Sequence, residues 1–254
     1  MLKGRPLQPI PTWKLKHSKE ALLRLATDPA MFNRGYRMQA INEGDLKFPS
    51  FKKCCIALPT TLGDLHRRRL PAYVGVDLSG NKRPGNAISV VGLEPATRRR
   101  IQLEIMFGAW SSPEMADRLA DVNLRHNVQF IQVENNAYQQ SLIDWVRKSK
   151  TENNYWMKIE AFTTGANKAN PDYGLPVMEV EFHNQGWIFP YQEWEGHDPS
   201  CVCDWCRLDR EFSLYPKGAS ADGVMATWFA RDALNKWAPM HAGTSGGVGN
   251  LNLR

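Results

Sequence analysis

The chain reads as an α/β protein: a mixed sheet with helices packed on its faces. Three observations predict it. Three strand-like segments follow one another from Tyr73 with only short, turn-rich breaks between them, the pattern of an antiparallel meander. After them, helical and strand-like spacings alternate up to a last apolar helical stretch near residue 221, and a mixed sheet with helices on its faces is the natural packing of that order. Two of the apolar runs, Tyr73-Val74-Gly75-Val76 and Phe130-Ile131-Gln132-Val133, each end on an acid, Asp77 and Glu134, as buried strands do when they reach a polar end.

Residues 1–70 differ from the rest. They open with Pro6, Pro9 and Pro11, carry a short helical pattern over 18–25 and end in a basic stretch before Pro71, and they predict an N-terminal arm or linker. The meander then takes strands at 73–78, 87–93 and 99–107, broken by the turn residues of 79–86 and by Glu94-Pro95-Ala96-Thr97. Helical spacing of Met115, Leu119 and Val122 predicts a helix over 112–126, followed by a strand at 128–133, a helix at 137–148 and a strand at 158–162. The final helix is expected over 221–235, with Trp145 and Trp228 facing the core. One domain thus spans 71–238, with a hairpin and cysteine-rich insertion at about 174–215, and the Gly-rich residues 239–254 read as a flexible tail.

At 254 residues, 43% of them hydrophobic, the chain can bury a full core. No run reaches the roughly 18 apolar residues of a membrane span, and the first residues lack a signal-peptide core. A cytosolic protein with no membrane partner is expected. The net charge of +6 is clustered, in Lys52-Lys53, His66-Arg67-Arg68-Arg69, Lys82-Arg83, Arg98-Arg99-Arg100 and Arg147-Lys148. Clusters of this kind attract a polyanion, although each by itself is also ordinary solvated surface.

Asp222 precedes an apolar helical stretch and falls in its first turn. With Asp77 and Glu134 it supplies two strand acids and one helix acid, ligands suited to hard divalent ions such as Mg²⁺ and Mn²⁺. Two such ions about 3.5–4 Å apart activate a water and neutralise a leaving oxygen in phosphodiester hydrolysis. Asp77 is expected to bridge them, with Glu134 and Asp222 each holding one. Each acid alone is equally explained by a turn or a helix cap.

Tyr-Val-Gly-Val-Asp-Leu-Ser-Gly around Asp77, Ile-Gln-Val-Glu-Asn-Asn around Glu134 and Ala-Asp-Gly-Val-Met-Ala-Thr-Trp-Phe-Ala around Asp222 resemble the three acidic motifs of the RNase H-like nuclease domain of viral large terminase subunits. The resemblance covers about residues 73–232 and, more weakly, 28–55. It implies an RNase H-like fold, Asp77, Glu134 and Asp222 as ligands of two Mg²⁺ or Mn²⁺ ions, and Lys168 as a phosphate or active-site contact. It also implies cleavage of concatemeric phage DNA during packaging in the host cytoplasm. The implied partners are double-stranded DNA, the terminase ATPase part, the small terminase subunit and the portal; the grip on DNA phosphates is expected from the basic residues Lys82, Arg83, Arg98, Arg99, Arg100, Arg147 and Lys148. The chain departs from the pattern in two ways: Ala221 and Gly223 flank Asp222 where many relatives have adjacent acids, and no G-x-x-x-x-G-K-[ST] phosphate loop is present.

His197, Cys201, Cys203 and Cys206 lie within ten positions. They match the ligand set of a structural Zn²⁺ site, and reduced, non-ligating cysteines explain them as well. Cys54 and Cys55 read as ordinary thiols of the arm. Two other functions remain open at this stage: a Holliday-junction resolvase or recombinase-like nuclease of the same fold, and a non-catalytic zinc-containing DNA-binding or assembly module.

Overall fold

The computed structural model describes residues 46–58, 60–78, 85–134, 139–153, 158–162, 174–198 and 200–242. Apart from Leu46 they belong to a compact unit that starts at Lys47. Its strands are β1 (Cys55–Ile56), β2 (Pro71–Asp77), β3 (Asn86–Leu93), β4 (Arg100–Gly108), β5 (Asn127–Glu134), β6 (Ile159–Phe162) and β7 (Trp187–Pro190). Its helices are α1 (Leu62–Arg67), α2 (Ser112–Arg125), α3 (Gln139–Asn153), α4 (Leu175–His183), α5 (Asp204–Leu214) and α6 (Asp222–Ala242).

The strands form one seven-stranded sheet in the order β1-β7-β4-β3-β2-β5-β6. β2, β3 and β4 pair antiparallel, as their short connections require, whereas β5 joins β2 in parallel after the α2 crossover and β6 joins β5 in parallel after α3. This is the mixed sheet expected from the element order.

Strand alternation divides the core between the two faces of the sheet. Val74, Val76, Ile88, Val90, Ile131 and Val133 pack under α2 and α3, against Met115, Leu119, Val122, Leu142 and Val146. Tyr73, Val91, Ile105 and Phe130 face the other way, against Trp228, Phe229, Ala230 and Leu234 of α6. α6 is buried along most of its described length because it is the central helix of that face.

Four expectations need correction. Residues 47–70 are not an arm: Phe48, Phe51 and Cys54 are buried in the α6-face core, Leu65 in the other, and Phe51 stacks on Phe212 at 4.8 Å. Aromatic burial from a short 3₁₀ turn, Phe51–Cys54, leaves no helical or strand periodicity to read. Residues 174–190 form no hairpin, since α4 is followed by β7, which enters the sheet between β1 and β4 with parallel pairing on both sides. Trp145 lies at the surface, 38% exposed, with Lys148 over its ring, while Trp228 is fully buried. Finally, α6 continues to Ala242 through residues assigned to the tail. The helical pattern at 18–25 and the remaining tail, 243–254, lie outside the described residues.

Candidate active site

Along β2, Tyr73, Gly75 and Asp77 share the face that carries α6, and Phe130, Gln132 and Glu134 share it on β5. The register pairs Gly75 with Gln132 and Val76 with Val133, so Asp77 and Glu134 end adjacent parallel strands at one edge of the sheet. Both are half-buried.

Gly75 sets where α6 lies. A Cβ there would come within 1.9 Å of the Ala226 carbonyl oxygen and 2.4 Å of the Ala230 nitrogen, so the helix backbone rests directly on β2. Ser89 and Thr227 hydroxyls bond at 3.0 Å beside this crossing, and the Gln132 amide donates to Asp232 at 2.9 Å. Farther along, Trp237 stacks on Phe130, which precedes Gln132 and Glu134 on β5, so the head of α6 is directed toward the edge that carries Asp77 and Glu134. Asp222 stands one turn, about 6 Å, before Ala226, and Asp77 stands about 7 Å beyond Gly75. A Cβ on Gly85 would meet Asp222 Oδ2 at 3.0 Å, next to Ala87, the strand partner of Asp77. The three acids are therefore delivered to the same edge by β2, β5 and α6.

Asp222 is held there by residues of α5 that the sequence did not single out. Arg207 Nη2 donates to Asp222 Oδ2 at 2.7 Å, and Arg207 Nε donates to Glu211 Oε1 at 3.0 Å. The other Glu211 oxygen accepts the Gly223 backbone N–H at 2.7 Å and so caps the head of α6. Glu211 is only 4% exposed. A buried acid one turn from an arginine was the available signal, but i,i+4 charge pairs are common on helices that carry no function. Gly223 is closely packed: a Cβ would lie 2.6 Å from Phe107 Cζ and 2.8 Å from Leu208 Cδ1, so a larger residue there would have to push these side-chain ends aside.

The second donor set sits just before α5. The ligand atoms of His197, Cys201, Cys203 and Cys206 lie within 4.8 Å of one another and can hold a metal ion. His197 Nδ1 is 3.5 Å from Cys201 Sγ, 3.5 Å from Cys203 Sγ and 3.4 Å from Cys206 Sγ. Tetrahedral zinc with its usual bond lengths gives an N···S edge of about 3.5 Å. Hydrogen bonding from the Cys203 backbone and thiol brings Cys201 down to about 7, whereas burial and the neighbouring thiols push Cys206 up. The three carboxylates, though at one edge, are not gathered as tightly as this set among the described residues.

The predicted basic residues part company. Arg99 donates to the backbone carbonyls of Gln185 and Trp187, and Arg100 donates to Asn235 and pairs with Glu181 at 3.2 Å. Both lie where β4 begins, whereas Asp77 is level with Phe107 near its end, so this run sits at the other end of the sheet from the acids. Arg98, beside them, takes a left-handed φ of 58° in the turn before β4. Arg147 and Lys148 are exposed on α3. Lys82, Arg83 and Lys168 lie outside the described residues. No helix among the described residues is long and apolar enough to cross a membrane.

No protein-family model and no curated relative matches the chain. Solved structures do. The large terminase nuclease from thermophilic phage G20c with bound magnesium matches at a TM-score of 0.50 and 11% identity, over 73% of this chain and 95% of that one. The HK97 bacteriophage large terminase matches at 0.49 and 11%, over 83% of this chain and 49% of that one. The human cytomegalovirus terminase nuclease domain, soaked with Mn, matches at 0.45 and 16%, over 74% and 93%. The G20c likeness, together with the sheet order and the helix that crosses it, shows that this chain has the RNase H-like fold of large-terminase nuclease domains.

Proposed function

We propose that the chain is a divalent-metal-dependent DNA endonuclease that cuts concatemeric viral DNA during genome packaging in the host cytoplasm. What supports this reading is that Asp77 and Glu134 end adjacent parallel strands and Asp222 begins the helix laid across them. Oxygen-only donors suit Mg²⁺ or Mn²⁺, and the G20c nuclease of the same fold has magnesium bound. Two such ions, when bound, would activate the attacking water and neutralise the leaving oxygen.

The chain's own part is to hold the ligands and the DNA. Asp77, Glu134 and Asp222 would hold the ions through their carboxylate oxygens. Because Ala221 and Gly223 flank Asp222 and bring no further acid, one of the two ions would be held by fewer carboxylates and would bind more weakly. Arg147 and Lys148 are exposed where they can reach phosphates, with Lys82, Arg83 and Lys168 as further DNA contacts. Such contacts position the duplex without reading its sequence. The ATPase part, the small terminase subunit and the portal are the partners, since the chain has no phosphate loop of its own. The His/Cys set takes a structural Zn²⁺.

The test is cleavage of supercoiled plasmid and linear duplex with Mg²⁺, Mn²⁺, Ca²⁺ or EDTA, beside Asp77→Ala. Cleavage that requires Mg²⁺ or Mn²⁺ and disappears in the variant is expected. A folded, DNA-binding protein that never cuts, alone or with its ATPase partner, would overturn the reading in favour of a binding module.

A further inference from the structure

We infer that zinc at His197, Cys201, Cys203 and Cys206 is a brace for the hard-metal site, acting through α5 to fix Asp222. The inference rests on the proposed nuclease reading for its functional consequence, but its structural core does not. Cys203 is the N-cap residue of α5 and Cys206 lies in its first turn, so a metal on these thiolates clamps the start of that helix. The next residue after Cys206 is Arg207, whose guanidinium reaches Asp222, and one turn on is Glu211, which accepts the Gly223 N–H. Arg207 and Glu211 are also joined to each other, and Arg207 lies over the Phe107 ring at 4.0 Å. A four-link chain thus runs from the soft-metal donors to the third acid: thiolate, helix start, guanidinium, carboxylate.

The rest of this segment does not fix α5 in the same way. The span from Glu195 to Val202 is largely at the surface, and Val202 is 84% exposed. The inner side of α5 is anchored by Cys206, Leu208 and Phe212, Trp205 of its first turn stacks on Trp194, and Arg210 donates to the Cys201 carbonyl; these contacts seat the helix through side chains that can shift. A tetrahedral centre adds bonds of fixed length and angle at Cys203 and Cys206, which lock the rotation of that turn. Arg207 is accordingly a positioning residue: a carboxylate that binds a metal is oriented by the hydrogen bonds on its other oxygen, and losing such a partner typically weakens metal binding about 10-fold to 100-fold.

The experiment uses the chain purified from zinc-containing medium. Elemental analysis should find one zinc per chain, and Co²⁺ exchange should give thiolate-to-cobalt absorption. Zinc is then removed by a chelator or by His197→Ala, and amide hydrogen exchange is followed residue by residue. The Gly223 amide and the first turns of α5 and α6 should lose protection by about tenfold or more, the scale of one charged hydrogen bond, while β2 and β5 keep theirs. Mn²⁺ affinity should fall about 10-fold or more on zinc removal. Arg207→Gln should weaken Mn²⁺ to the same degree with zinc still bound, and Arg207→Lys should restore part of the loss.

Absence of zinc in the wild-type chain would overturn the inference. So would unchanged exchange at Gly223 after zinc removal, loss of protection throughout the sheet, or Mn²⁺ binding that stays equal or tightens. If the wild type binds no Mn²⁺ at all while Gly223 still responds to zinc, the nuclease reading fails, and of the inference only the structural coupling from zinc through α5 to the head of α6 stands.

Discussion

Replacing Gly75 by alanine tests the seating of α6, on which the position of Asp222 depends. The added Cβ would stand 1.9 Å from the Ala226 carbonyl oxygen, 2.4 Å from the Ala230 nitrogen and 2.9 Å from Phe229 Cβ. Two of these are helix backbone and cannot rotate away. Ordinary non-bonded separations are about 3.5 Å, so the helix must rise off β2 by roughly 1.5 Å. That displacement breaks the Ser89–Thr227 hydrogen bond of 3.0 Å and the Gln132–Asp232 bond of 2.9 Å. Overpacking costs about 1–3 kcal/mol and each lost hydrogen bond about 1 kcal/mol, for a sum of about 3–5 kcal/mol. With a urea slope of about 2–3 kcal/mol per molar, the unfolding midpoint should fall by roughly 1–2.5 M. Mn²⁺ binding should weaken too, since Asp222 moves with the helix. A Gly75→Ala midpoint within experimental error of the wild type would refute the close seating and the site geometry built on it.

Three further outcomes are expected. Phe51→Ala should cost about 3–5 kcal/mol in urea unfolding, because its ring packs among Phe182, Phe189 and Phe212; a surface-like effect would return residues 47–70 to an arm. Glu104 is held below its ordinary value of 4.5 because hydrogen bonds from His126 and Arg125 outweigh its burial. Its contribution is complete above that ordinary value and is lost as pH falls through the depressed one, so Glu104→Gln should flatten the decline of the urea midpoint that sets in as pH falls below 4.5. Arg147→Ala should reduce the salt slope of DNA binding by about one, whereas Arg100→Ala should lower stability and leave that slope unchanged, because Arg100 is tied to Glu181 and Asn235.

The legible part of this fold is the part with regular periodicity. β2 to β5, α2 and the start of α6 were read from apolar spacing within a residue or two, and the acids that close β2 and β5 were visible as polar stops after apolar runs. What escaped is held by contacts without period. β1 has two residues, and β7 has four, all of them buried, inside a segment read as a hairpin. α4 is nine residues and apolar on several sides, which a helical pattern search does not separate from a strand. The segments 47–58 and 204–214 are placed by aromatic packing across more than a hundred residues of sequence, Phe51 on Phe212 being the plainest case.

The proposed site rests on the same kind of sequence signal. Residue type and position in their elements pointed to Asp77, Glu134 and Asp222, and the short spacing of His197, Cys201, Cys203 and Cys206 pointed to a metal. Arg207 and Glu211 were not legible, because nothing in sequence distinguishes them from a surface helix pair until α6 is laid beside α5. The run at Arg98 to Arg100 shows the converse: a basic cluster that looked like a DNA grip contains two arginines bound to the protein's own carbonyls, amide and carboxylate.

Anomalous scattering from crystals soaked in Mn²⁺ tests the shared metal site most directly. Density is predicted between Asp77, Glu134 and Asp222, with oxygen ligands at about 2.0–2.3 Å. Manganese bound elsewhere, or none at this edge in a crystal that leaves it open to solvent, would contradict a site built by β2, β5 and α6.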